Sequence, residues 1–175
     1  METKEKIDFC FDVIKRHDHY IATTNVKVTL LISFLTLVIS GISIKIIEIP
    51  PPQNLSSIYY MVIMLGLLTI LFSLTALANL IRVVFPRLDT KKTEDSLIFF
   101  GDISKIEQSG KTYYDLITSS DENKILIDIS QQIEIVSKIT SDKFRTLSLA
   151  ITIIIWLVFP LLLLSITFLT IYNSV

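Results

Sequence analysis

The sequence predicts an all-α membrane protein with three transmembrane helices, of which the first and third extend into a small cytoplasmic helical bundle. Three observations predict it. Apolar residues make up 51% of the 175-residue chain and charged residues only 19%, a balance outside that of ordinary soluble domains; the mean hydropathy is +0.61. The charges are missing altogether from three long apolar runs. Amphipathic stretches lead into the first and third runs with neither glycine nor proline to interrupt them.

The opening residues, METKEKIDFCFDVIKRHDHY, mix acids with bases and hold no apolar core of a secretory signal. Ile7, Phe11, Ile14, Tyr20 and Ile21 recur close to helical spacing. One helix is therefore read from about Lys4 to Ile47, with residues 1–25 cytoplasmic and 26–48 crossing the bilayer. The charge-free stretch from Val28 to Ile44 lies between Lys27 and Lys45. Its about 17 residues are the short limit for a ~30 Å hydrocarbon core, and the lysine stems lengthen it by reaching outward. Pro50 to Pro52 stop the helix, because proline has no backbone donor.

The second span is placed at 57–84 and the third at 146–172, both free of charge through their apolar cores. Pro160 frees a backbone carbonyl in mid-span and is read as a hinge, a static kink being the plainer alternative. Lysine and arginine set the orientation. They crowd the N-terminal segment and the region between spans two and three, while the connection IEIPPPQNLSS has none beyond Lys45 at its edge. The N-terminus and central segment are thus expected in the cytoplasm, with the C-terminus outside a cell's inner (plasma) membrane.

The central region, 85–145, completes the bundle. FPRL breaks span two at Pro86, and DTKKTEDS reads as a polar loop. In SLIFFGDISK, a positive φ at Gly101 would turn Phe99 and Phe100 inward, and Asp102 would cap a short helix to about Gln108. KTYYDLIT is a further helical piece. Ser119 and Glu122 fit a capping box at the start of the third long helix, whose apolar face carries Ile125, Ile129, Ile133, Val136 and Ile139. At 1.5 Å per residue the two cytoplasmic stalks reach roughly 30 and 37 Å. Their apolar stripes are expected to pack on one another; partner binding is the other use for such a stripe.

Catalysis has no foothold. Gly41, Gly66, Gly101 and Gly110 lie far apart, so no phosphate-cradling loop exists. His17 and His19 diverge on a helix, Cys10 is alone, and no metal site or cofactor follows. No acidic, basic or histidine residue lies inside the apolar cores of the spans to suggest a proton relay. The protein is expected not to be an enzyme.

YIATTNVKVTLLISF entering span one, FPRL leaving span two, then LIFFGDISK, YYDLI and QQIEIVSKITSDKFRTLSLAI resemble the Pycsar transmembrane effector family in the same order. The resemblance implies an antiphage defence effector that impairs the membrane when a cyclic nucleotide signals infection. About 60 residues between spans two and three leave no room for a separate nucleotide-binding domain, so any sensing falls to the bundle. Its ligand-binding candidates are Phe99, Phe100, Asp102, Tyr113 and Tyr114, as aromatic wall and polar contact. Lys27, Arg82, Arg87, Lys105, Lys143 and Arg145 are the matching phosphate contacts. The plainer readings stand beside these: phenylalanines that plug the bundle base, and cations that meet lipid head groups. Expected partners are the lipid bilayer, further copies of the chain, and a cyclic mono- or oligonucleotide, with no DNA or RNA. The alternatives are a membrane scaffold that recruits a soluble partner without permeabilising anything, or a small constitutive channel subunit.

Overall fold

The computed structural model describes residues 2–52, 57–85, 96–104, 106 and 112–174, with the side chain of Phe100 excepted. Among them every regular element is helical. Helix α1 runs Thr3–Glu48, α2 Ser57–Val84, α3 Phe100–Ile103, α4 Tyr113–Thr118 and α5 Glu122–Ile153. A π-helical turn, Ile154–Val158, joins α5 to α6, Phe159–Ser174. Three helical stretches are long and apolar enough to cross a membrane: Thr3–Glu48, Ser57–Val84 and Glu122–Ser174. The chain is a multi-pass membrane protein.

Two compact units divide it. One holds Met1–Thr23 and Pro86–Asp142; the other holds Thr24–Phe85 and Lys143–Val175. Helices α1 and α5 each contribute to both.

The second, membrane unit has a core of Val28, Leu35 and Val38 from α1, Ala76, Leu80 and Val83 from α2, and Leu147, Ala150, Ile154 and Val158 from the third span. Small residues line the buried face of α2, at Gly66, Thr69, Ser73 and Ala76. In lipid, close backbone approach replaces hydrophobic driving force, and small side chains permit it. Gly66 shows the limit: a Cβ there would lie 2.7 Å from the Ile46 Cδ1. Large aliphatic and aromatic side chains such as Leu37, Leu71 and Trp156 point outward, the arrangement expected where the solvent is hydrocarbon.

The π turn is a departure from the uninterrupted helix read from the sequence up to Pro160. Its physical reason is Pro160 itself. A proline ring clashes with the carbonyl one turn earlier and donates no hydrogen bond. Widening the preceding turn relieves the clash, and the Phe159 N–H then reaches back to the Ile154 carbonyl.

In the first, polar unit, Ile7, Ile14 and Ile21 are half-buried, whereas Phe11 and Tyr20, assigned to the same stripe from spacing, are exposed. On α5, Ile129 is fully buried and Ile125, Ile133, Val136 and Ile139 are half-buried. His17 Nε2 and Ser137 Oγ, 3.0 Å apart, tie α1 to α5. The expected capping box at Ser119 and Glu122 is replaced. Ser119 closes α4 at its C-terminus, and Asp121 caps α5 by accepting the Lys124 N–H at 2.9 Å. A carboxylate beside the helix start outcompetes a hydroxyl two residues earlier because it is negative and adjacent to the free N–H groups.

Candidate functional site

The segment Ser96 to Ser104 is built around a buried polar clasp. Asp128, on α5, is 8% exposed. Its two carboxylate oxygens accept from the Ser96 hydroxyl and from the Leu97 N–H, both at 2.8 Å. Ser96 Oγ in turn accepts the Phe99 N–H at 3.0 Å and the Ile98 N–H and Gln132 Nε2 at 3.2 Å each. One carboxylate and one hydroxyl thereby satisfy the Leu97, Ile98 and Phe99 N–H groups that lead into α3. Buried donors are costly unless paired, so this arrangement fixes the turn's path.

That clasp overrides two local expectations. Asp102 lies inside α3 and does not cap it; its N–H donates to the Phe99 carbonyl at 3.0 Å. Gly101 is within the same right-handed turn and has no positive φ. It is needed for closeness instead: a Cβ there would sit 2.4 Å from the Phe99 ring. Phe99 thus folds over the glycine and is half-buried.

Helix α4 carries the next candidates. Thr112 and Asp115 form a reciprocal capping box, with the Asp115 N–H on Thr112 Oγ1 at 3.2 Å and the Thr112 N–H on Asp115 Oδ2 at 3.1 Å. The Thr112 hydroxyl, followed by the Thr112 N–H, holds the Asp115 carboxyl below its usual range. Tyr113, the first residue of α4, donates its hydroxyl to the Leu97 carbonyl at 2.9 Å. It therefore anchors α4 to the clasped segment. Tyr114 is 73% exposed.

Phe99, Asp102, Tyr113 and Tyr114 belong to the polar unit, where Tyr113 bonds the Leu97 carbonyl two residues before Phe99. Phe100 opens α3, its side chain lying outside what is described, and Arg87 and Lys105 fall outside the described residues altogether. Lys27, Arg82 and Arg145 are exposed and belong to the membrane unit. Lys143 is half-buried, and its ammonium donates to the Val83 carbonyl in the last turn of α2. That is the place where a cation best meets a helix's unpaired carbonyls. Pro160 is exposed, one residue into α6.

The residues missed from sequence are Ser96, Asp128 and Gln132. A signal existed: Asp128 and Gln132 stand four apart directly beside the isoleucines of α5, where a solvated face would not put them. The segment presents a half-buried aromatic ring, Phe99, and an exposed phenol, Tyr114; among the described residues no group of His, Cys, Asp or Glu is placed to hold a metal.

The model of the Pycsar effector protein domain matches residues 9–171. The chain is 29% identical over 159 residues to the Pycsar effector protein EcPycTM of Escherichia coli, an alignment covering 86% of this chain and 84% of that protein. No solved structure matches.

Proposed function

The chain belongs to the Pycsar effector family, and from that premise we propose that it is an antiphage effector that impairs the inner membrane when its polar unit senses a cyclic nucleotide. The observation that carries this reading is continuity: α1 and α5 each supply residues to the polar unit and to the membrane unit without a break at the boundary. A change in packing at their polar ends is then felt along the spans. The N-terminus and the region 85–145 lie in the cytoplasm, where the nucleotide is made, and the C-terminus lies outside.

Within the polar unit the recognition elements are Phe99, Tyr114 and the turn that Asp128 holds, with Phe99 or Tyr114 stacking on a base. Lys27, Arg82 and Arg145 serve at the membrane surface, and Lys143 serves α2. Three spans enclose no wide channel, so several copies assemble to depolarise or perforate the bilayer.

The test is expression of the protein in cells given a panel of cyclic mono- and oligonucleotides, reading membrane potential and dye entry. One nucleotide collapses the potential, and Tyr114→Ala with Phe99→Ala raises the dose required. An inserted protein that leaves potential and dye entry unchanged across the panel, while co-purifying with a soluble protein, is a scaffold instead.

A further inference from the structure

The third span carries a register problem that its neighbours make legible. The π turn holds one more residue than an α-helical turn would, so it sets the rotation of all of α6 against α2. In this register Ser165 is buried at 4% exposure, and its Oγ lies 3.1 Å from Thr69 Oγ1. Leu164, next to it, is 46% exposed. Converting the π turn to α-helix, with no residue lost, turns α6 by about 100°. Leu164 would then take the place of Ser165 opposite Thr69, and Ser165 would face outward.

Neither register is fully satisfied. The observed one leaves Ser73 Oγ, one turn along α2, fully buried without a hydrogen-bond partner. It also leaves a small groove beside Ser165, bounded by Ile42, Ile46 and Leu169. The alternative loses the Thr69–Ser165 bond, a small loss because hydroxyl pairs between membrane helices contribute little, and brings Pro160 against the preceding carbonyl. We propose that Ile154–Val158 is a register switch: α6 has two rotational settings against α2, and Pro160 together with the Thr69–Ser165 bond holds the observed one. This inference rests on membrane insertion and not on nucleotide sensing.

Disulfide trapping in native membranes tests it, in a Cys10→Ser background. The Thr69→Cys, Ser165→Cys pair reports the observed register, and the Thr69→Cys, Leu164→Cys pair reports the rotated one. Because thiols do not reproduce the hydroxyl bond, both pairs are expected to form, with the Ser165 pair in excess. Adding Pro160→Ala relieves the clash of the proline ring and is expected to raise the Leu164-to-Ser165 ratio about tenfold or more. Deleting Leu157 in the Pro160→Ala chain removes the extra residue. It should restore a plain α-helix with Ser165 still on Thr69, sending the Leu164 pair to background. A ratio that Pro160→Ala does not move overturns the proposal, as does a deletion that rotates Ser165 away; the inserted deletion variant keeps the question decidable if Pro160→Ala alone inserts poorly.

Discussion

The polar unit and the membrane unit differ in how far along the chain their polar side chains reach for partners. In the polar unit the clasp recruits a carboxylate, an amide and a hydroxyl across 31 to 36 residues of chain. In the membrane unit Thr29, Ser33, Thr36, Thr75 and Thr152 each turn a hydroxyl back to the carbonyl four residues earlier on their own helix. Thr69 and Ser165 do the same and also meet each other. The difference teaches where specificity is stored. Long-range polar contacts define the shape of the polar unit, while the membrane unit is defined by packing, with these hydroxyls satisfied on their own helices and Ser73 Oγ left unpaired.

The comparison breaks first, and most visibly, at Asp128. Asp128→Ala leaves the Ser96 hydroxyl and Leu97 N–H without their acceptor, a loss of about 3 kcal/mol or more. Hydrogen exchange at Leu97 to Phe99 should rise by about 100-fold or more, since each 1.4 kcal/mol is tenfold, with the spans unaffected; unchanged exchange there would mean that the clasp does not hold the turn. Gly66→Val is the membrane counterpart, forcing Ile46 aside. A cost of about 1–3 kcal/mol is expected, read as a lowered melting point in detergent. Ser165→Ala is smaller still, about 0.6 kcal/mol, because the Thr69 hydroxyl left behind keeps its bond to the Leu65 carbonyl. A loss comparable to that of Asp128→Ala would erase the contrast between the units.

The smallest expected effect is acid dependence at α4. The folded-state pKa of Asp115 is depressed, so its contribution is fully present above about pH 4 and disappears as pH falls through the lower, folded value. Between pH 7 and pH 5 the protection of α4 amides, corrected for intrinsic exchange, should stay constant. Thr112→Val should lower that protection at both pH values.

The three spans and the full extent of α1 were legible because they rest on composition and on breakers: charge-free runs, and three prolines after Glu48. Helix α4 was legible from KTYYDLIT, although its Thr112–Asp115 box was overlooked in favour of the Ser119–Glu122 pattern. Such patterns say that a cap exists nearby and leave the choice to the nearest acceptor. The turn at Gly101 was misread because its partner, Asp128, lies far along the chain, and local propensity carries no trace of it. The π turn was half legible. Pro160 announced a disturbance, but a proline acts on the turn before it, so the widening sits upstream of the residue that causes it. Among the ligand candidates, Lys143 and Tyr113 bond the backbone carbonyls of Val83 and Leu97, partners 60 and 16 residues away that residue type alone does not reveal.

The π turn also contains the chain's single tryptophan, Trp156, which is 73% exposed. Indole emission from the intact protein therefore comes from one place, and that place is the turn between α5 and α6. Brominated acyl chains would quench this fluorophore according to depth and facing, giving an optical gauge of the turn that needs no attached dye.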